Sequence, residues 1–340
     1  MSENVRPHPS SPHLTGLDQQ EFGSLVEPHR RELQAHCYRM LGSVQDAEDM
    51  VQETFLRAWR RRETFEGRAS FRAWLYKIAT NVCLDALEKR PRRVVPVTRQ
   101  AVSTLDEPIP PAVMEPIWLE PYPDDLLPAA EDNPEGHFSA RESITLAFVA
   151  ALHLLPPRQR AVLILRDVLD WQASEVADLL DMSVPGVKSA LHRARATLST
   201  HDLVTDEVTA HILDEAAQNQ LEDYVRAWEA ADINTLLSLL KENATFSMPP
   251  IPSWYRGRDT IRALVSRTVF SGEAQGRWRL LPTRANRQLA FGLYQCNEAR
   301  SLYSAYGIQV LTFNGGLIAD ITTFRNPALF SYFKLPPSLQ

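Results

Sequence analysis

The stretch Asp46-Ala-Glu-Asp-Met-Val-Gln-Glu-Thr-Phe-Leu-Arg-Ala-Trp-Arg60 sets the reading of everything around it. Its apolar residues Ala47, Met50, Val51, Phe55, Ala58 and Trp59 recur at helical spacing and form one stripe, so an amphipathic helix with a buried side is expected. The opposite side presents Asp49, Gln52, Glu53 and Arg57, free for a partner. Beyond Arg60-Arg61-Arg62 and a short loop with Gly67 comes a second helical segment, Phe71-Arg-Ala-Trp-Leu-Tyr-Lys-Ile-Ala-Thr-Asn-Val-Cys-Leu-Asp-Ala-Leu-Glu-Lys-Arg90. Here basic residues are interleaved with Phe71, Trp74 and Tyr76. Cations that hold a phosphate backbone, beside rings or pockets for unstacked bases, suit single-stranded DNA. Taken singly, Trp74 has the commoner alternative of a core aromatic.

Charge is divided along this region. Asp18–Thr54 carries eight acids and three arginines, whereas Phe55–Arg93 carries eleven Lys/Arg and four acids. The whole chain has a net charge of −6 and a pI near 5.9. The split suggests one face for a basic partner and one for phosphates, although two solvated helix faces would look the same.

Working outward, the 340 residues are enough for two or three domains. With 44% hydrophobic and 23% charged residues the composition is that of a soluble globular protein. No apolar stretch is long enough to span a membrane. Residues 1–17, rich in Ser, Pro and His, read as a disordered tail and not as a secretory signal, so a cytoplasmic location without membrane attachment is expected. Helical periodicity covers 18–91. A linker follows over 92–140: Ala101–Ala140 holds eight Pro, nine acids and no Lys or Arg, and should be mostly extended. Helical pattern returns over 141–200, and 206–340 begins helical before turning to aromatic-rich strands. Cys37, Cys83 and Cys296 show no metal-ligand or disulfide spacing, so neither a metal nor a cofactor is implied.

The run Leu154–Trp171, then Ser174–Leu180, a tight turn at Asp181-Met182-Ser183 and the segment Val184–Thr197 read as a helix-turn-helix. Ser183 is placed as N-cap, with Pro185 in the first turn where its missing N–H costs nothing. Val187, Ala190, Leu191, Ala194 and Leu198 form the buried stripe. Pro185, Lys188, Ser189, His192, Arg193 and Ala196 point away from it. That face is polar, basic and free of acids, as a major-groove reader requires, and is favoured over a protein-binding hairpin.

In the last block Leu221, Tyr224, Val225 and Trp228 make a helical stripe. Strands are expected over Ala244–Met248 and from Gly276 to Phe324, with a helix near Asp259–Arg267. Asn314-Gly315-Gly316 between Ile308–Phe313 and Leu317–Phe324 signals a hairpin, Asn-Gly supplying positive φ.

Together these motifs resemble the sigma-70 superfamily, in particular its extracytoplasmic-function (ECF) group. The resemblance implies a multidomain fold: an all-α region 2 bundle, an all-α region 4 helix-turn-helix and a C-terminal α+β, cone-shaped, SnoaL/NTF2-like domain. By it, "DAEDMVQETFLRAWR" docks on the clamp helices of core RNA polymerase through Asp49, Gln52, Glu53 and Leu56. "FRAWLYKIATNVCLDALEKR" lies along the −10 promoter strand through Arg72, Trp74, Lys77, Asn81 and Arg90. In region 4, Lys188, Ser189, His192 and Arg193 face the −35 duplex, with Arg195 on a phosphate. Val184-Pro185-Gly186 departs from the more polar helix start of many members, which leaves open what that end reads. "WLEP" at Trp118–Pro121 and "FRNPALF" at Phe324–Phe330 resemble ECF factors in which a C-terminal domain replaces a separate anti-sigma regulator. The acidic linker is therefore expected to dock on this domain, which has eight arginines between Arg256 and Arg287, with Trp118 as its anchor.

Two other readings compete with an initiation factor that leaves all chemistry to the polymerase. One is a ligand-responsive repressor, which leaves the Asp46–Arg60 helix without a role. The other is a cyclase- or isomerase-type enzyme, for which Asp320 or Asp259 alone would have to serve as base, so that no catalytic residue is expected. A small ligand in the C-terminal domain stays an open alternative.

Overall fold

The computed structural model describes residues 14–67, 69–89, 93–96, 101–114, 118–128, 144–199, 215–297 and 301–340, without side chains at 215–219. Most of the expected tail, Arg90 and the linker beyond 128 lie outside these residues. Leu14, inside the stretch read as tail, is buried, at 3% exposed. The chain forms two compact units: Met1–Arg92 with Leu126–Val204, and Arg93–Asp125 with Thr205–Gln340.

In the first unit, α1 (Gln19–Val26) opens with a capping box in which the Asp18 carboxylate accepts from the Glu21 amide and Glu21 from the Asp18 amide. Helix α2 (Arg30–Leu41) ends at Gly42, whose φ of 72° lets the chain reverse at once into α3 (Val44–Arg61), capped by Ser43. Ser70 caps α4 (Phe71–Glu88) in the same way. Leu33, Met40, Val51, Ala58 and Leu75 are wholly shielded where α2, α3 and α4 meet. At about 1.5–3 kcal/mol for each large apolar side chain, that core outweighs the surface ion pairs. The second helical module comprises α5 (Leu146–Leu152), α6 (Pro157–Leu163), which continues as a wide π turn over Ile164–Val168, α7 (Ala173–Leu180) and α8 (Val184–Ser199). Asp181 takes φ 52° and breaks α7. The expected stripe of α8 is the buried one, from Val187 to Leu198.

The second unit has α9 (Glu215–Ala230), α10 (Ile233–Ser238), β1 (Leu240–Ser247), β2 (Trp254–Arg256), α11 (Arg258–Arg267), β3 (Trp278–Ala285), β4 (Gln288–Cys296), β5 (Tyr303–Asn314), β6 (Leu317–Phe324) and β7 (Ser338–Leu339). The strand order is β2-β1-β6-β5-β4-β3, with β7 on β5. The sheet is mixed: β1 runs parallel to β6, and the other pairs are antiparallel. The hairpin turn lies within the expected Asn314-Gly315-Gly316, with Asn314 as the last residue of β5. Gly315 (φ 61°) and Gly316 (φ 77°) are its two central residues, and Asn314 pairs with Leu317. One sheet face, with Phe246, Phe291, Leu293, Leu311 and Ile321, packs under Tyr224 and Trp228 of α9 and Ile261, Leu264 and Val265 of α11.

Candidate nucleic-acid interface

On α3, burying Ala47, Val51, Thr54 and Ala58 turns positions 49, 52, 53 and 56 outward. Asp49 and Gln52 are exposed, and Leu56 is 50% exposed although apolar. Glu53 is half-buried and accepts from Arg57 at 2.7 Å, while Arg57 also reaches Asp85 on α4 at 2.9 Å. An exposed leucine flanked by carboxyl and amide groups makes a continuous strip along the helix.

On α4 the side chains read as DNA-facing are in different situations. Arg72 donates to Glu32 on α2 at 2.7 Å and lies over the Tyr76 ring. Burial pushes the Glu32 carboxyl up, but hydrogen bonds from His29 and Arg72 pull it lower still, so it stays ionised and holds Arg72. Trp74 is half-buried in a ring cluster with Phe65 and Phe71, at 5.1 and 5.8 Å between centroids. Lys77 and Asn81 share its helix face, both half-buried. Lys77 is engaged by the helix-turn-helix: it donates to the Asp178 carbonyl at 2.9 Å and the Asp181 carboxylate at 3.0 Å.

The two helical modules thus touch within one unit. Trp171, 8% exposed, meets Tyr76 edge to face at 5.3 Å. Arg160, fully buried on α6, donates to the Leu152 carbonyl at 3.0 Å, the Leu155 carbonyl at 3.3 Å and, across the modules, the Met40 carbonyl. Sequence reading missed Glu32, Trp171 and Asp181 as partners of the α4 face, and Arg160 as a link from α6 to the end of α2. The one available signal was an arginine directly before the apolar run Ala161–Leu165, since a cation buried with that run needs dedicated acceptors.

On α8, Lys188, Ser189, His192, Arg193 and Arg195 are all exposed. Arg193 donates to Ser189 at 2.8 Å along the helix. Arg195 points elsewhere, bidentate on Asp167 at 2.7 and 2.9 Å, and that carboxylate raises its pKa. Ser183 Oγ accepts from the Gly186 amide at 3.2 Å, as its cap position requires.

In the second unit the linker lies on the sheet domain. Tyr122 and Asn286 bond reciprocally: the Tyr122 amide donates to Asn286 Oδ1 and the Asn286 amide to the Tyr122 carbonyl, both at 2.8 Å. Asp124 accepts from the Arg287 amide at 2.7 Å and from Arg284 at 3.3 Å. Farther upstream, Ser103 donates its amide to the Trp254 carbonyl at 2.9 Å, and Val113 to that of Pro250 at 3.0 Å. Trp118 is half-buried; its indole donates to the Val113 carbonyl at 2.7 Å within the linker. Its neighbours Leu119 and Tyr122 are fully buried.

Asp320, weighed above as a base, lies on the sheet face opposite Ile321 and Phe291, held by Thr245 and by Thr322 at 2.8 Å. Burial raises its pKa. Asp259 is exposed in the first turn of α11. Neither faces the apolar core. Cys37 and Cys83 are buried free thiols, and among the described residues no group of His, Cys, Asp or Glu could hold a metal ion. Nor is any described helix long and apolar enough to cross a membrane.

Family models match three segments: Sigma-70 region 2 over residues 25–93, Sigma-70 region 4 over 145–198, and a SnoaL-like domain over 221–321. The chain is 42% identical over 322 residues to the ECF RNA polymerase sigma factor SigG of Mycobacterium tuberculosis, covering 94% of this chain and 85% of that protein. It is 30% identical over 184 residues to ECF sigma factor SigW of Bacillus subtilis, covering 53% of this chain and 88% of the other. The crystal structure of Mycobacterium tuberculosis extracytoplasmic function sigma factor SigJ shares the fold, with a TM-score of 0.58 at 24% identity over 92% of this chain and 99% of that one. On the full-length similarity to SigG, with both sigma regions in order, the chain belongs to the family of ECF RNA polymerase sigma factors.

Proposed function

We propose that this sigma factor docks on core RNA polymerase through the α3 strip of Asp49, Gln52, Glu53 and Leu56. It then reads the −10 strand with Trp74, Lys77, Asn81 and, outside the described residues, Arg90, with Arg72 placed by Glu32. The −35 duplex is read by Lys188, Ser189, His192 and Arg193, with Arg195 on a phosphate. The observation that carries the docking assignment is Leu56: a half-exposed leucine one turn beyond Gln52 and Glu53 has no use in the bundle and suits a partly apolar, basic partner. The protein acts in the cytoplasm, where its polymerase is, and has no chemistry of its own. In the second unit we propose a regulator, coupled to promoter reading by the linker that docks around Trp118–Asp125. A small ligand has a place to act there, a cleft of about 760 Å³ between α9 and β3, lined by Leu221, Val225, Trp278 and Leu280 with Arg226 and Arg279 at its rim. Run-off transcription with purified core polymerase tests the whole reading: specific transcripts should depend on the chain, and a repressor or an enzyme would give none.

A further inference from the structure

The first turn of α8 carries Val184, Pro185 and Gly186, three residues with no side-chain hydrogen-bonding group, at the helix end that contacts base edges in a helix-turn-helix. The turn is built this way at a cost in polarity that the cap explains only in part. Ser183 spends its hydroxyl on the Gly186 amide, and a Cβ at position 186 would stand 3.1 Å from that oxygen. Glycine is therefore explained by the cap, but valine is not. Val184 is 37% exposed, one of five large apolar side chains standing clear of the core among the described residues. The buried stripe begins only at Val187. One helical turn on, at i+4, stands exposed Lys188, followed by Ser189, His192 and Arg193, and no acid occurs from Val184 to Ser199.

A branched apolar side chain on a cationic, acid-free groove face has one natural counterpart on a base edge. In the major groove every recognition group is a donor or an acceptor except the 5-methyl of thymine. Pressing valine onto any of the others would leave that polar group without its water and without a partner. We infer that Val184 is a specificity residue, reading a thymine 5-methyl in the −35 duplex beside the base pair that Lys188 contacts. This deepens the assignment of α8 as the −35 helix and rests on it.

The test uses the full chain assembled with core polymerase and a −35 duplex selected by that holoenzyme from a random library. Each thymine of the duplex is replaced in turn by deoxyuridine, which removes the methyl and nothing else. At one thymine, the replacement should weaken binding of the wild type about fourfold, the affinity equivalent of burying one methyl group. Val184→Ser should bind the two duplexes equally. If no replacement matters, if the selected site has no thymine, or if the loss is the same in V184S, the inference is overturned. Lys188→Ala and Arg193→Ala separate the two levels of failure: weaker binding by these variants with no methyl effect leaves α8 as the −35 helix and removes only the role of Val184, whereas unchanged binding removes both.

Discussion

Two buried polar residues in the first unit show how much a single side chain carries. His36 is fully buried, with Nε2 at 2.9 Å from the Thr80 hydroxyl, and burial with the nearby Arg39 cation holds its imidazole down at about 3. It is neutral when folded, so the unfolded chain takes up the proton first as pH falls below the ordinary 6.5. The stability it allows is therefore complete above pH 6.5 and drains away toward pH 3, by several kcal/mol. His36→Gln, which keeps a hydrogen bond to Thr80 and cannot titrate, should flatten that acid slope in pH-dependent denaturation; an unchanged slope would show that His36 is not its source. Arg160 poses the reverse problem, a permanent cation fully buried among carbonyls. Arg160→Met should cost roughly 3 kcal/mol by stranding the Leu152, Leu155 and Met40 oxygens. Arg160→Lys should recover little, because one ammonium cannot span acceptors that a planar fork reaches. Urea titrations of both variants decide it.

Among elements, helices α3 and α8 were legible because periodicity, caps and exposed charge agree on the same faces. The contact between α4 and α7 was not, because it joins positions about a hundred residues apart and depends on edge-to-face rings and carbonyls, which leave no periodic mark. The same limit hid the parallel pairing of β1 with β6, which depends on a long crossover. The β5–β6 hairpin was legible from Asn314-Gly315-Gly316, although the positive φ angles fall on the two glycines while Asn314 closes β5. Magnitudes rank the parts of the contact between α4 and the helix-turn-helix module. The Lys77–Asp181 pair is well exposed and worth less than ~1 kcal/mol, whereas the Trp171 ring is buried against Tyr76. Asp181→Asn keeps a residue tolerant of φ 52° and should leave hydrogen exchange along α4 nearly unchanged, while Trp171→Ala should speed it markedly. Equal effects would mean that the ion pair holds the modules together. On α3, Asp49→Lys with Glu53→Lys should weaken core-polymerase binding roughly tenfold or more without altering helix content; unchanged affinity in an anisotropy titration would remove the docking assignment.

For the whole molecule, the question is whether the linker carries information between promoter reading and the C-terminal unit. A tether with no contacts would be indifferent to sequence, yet this linker exchanges two hydrogen bonds with Asn286, one backbone to backbone and one to its side-chain oxygen, and seats Tyr122 at 0% exposure. Its acid Asp124 is buried enough for its pKa to rise, despite the Arg287 amide and the Arg284 guanidinium on it. Ordering such a segment costs about 1–2 kcal/mol per residue in backbone entropy, which only specific contacts offset, so the docked state stands or falls on a few of them. Asn286 is the best place to intervene: its φ of 56° is equally open to glycine. Asn286→Gly keeps the turn and removes the side-chain acceptor of the Tyr122 amide, which should then exchange its hydrogen faster and expose the Leu119–Asp125 stretch to protease. If docking regulates initiation, this variant should shift run-off transcription in the same direction as truncation after Thr200, which is expected to change it several-fold. A truncated chain that transcribes like the full one would leave the C-terminal unit without a regulatory role. A truncation effect that Asn286→Gly fails to share, despite a released linker, would place the regulation in the unit itself and not in its hold on the linker.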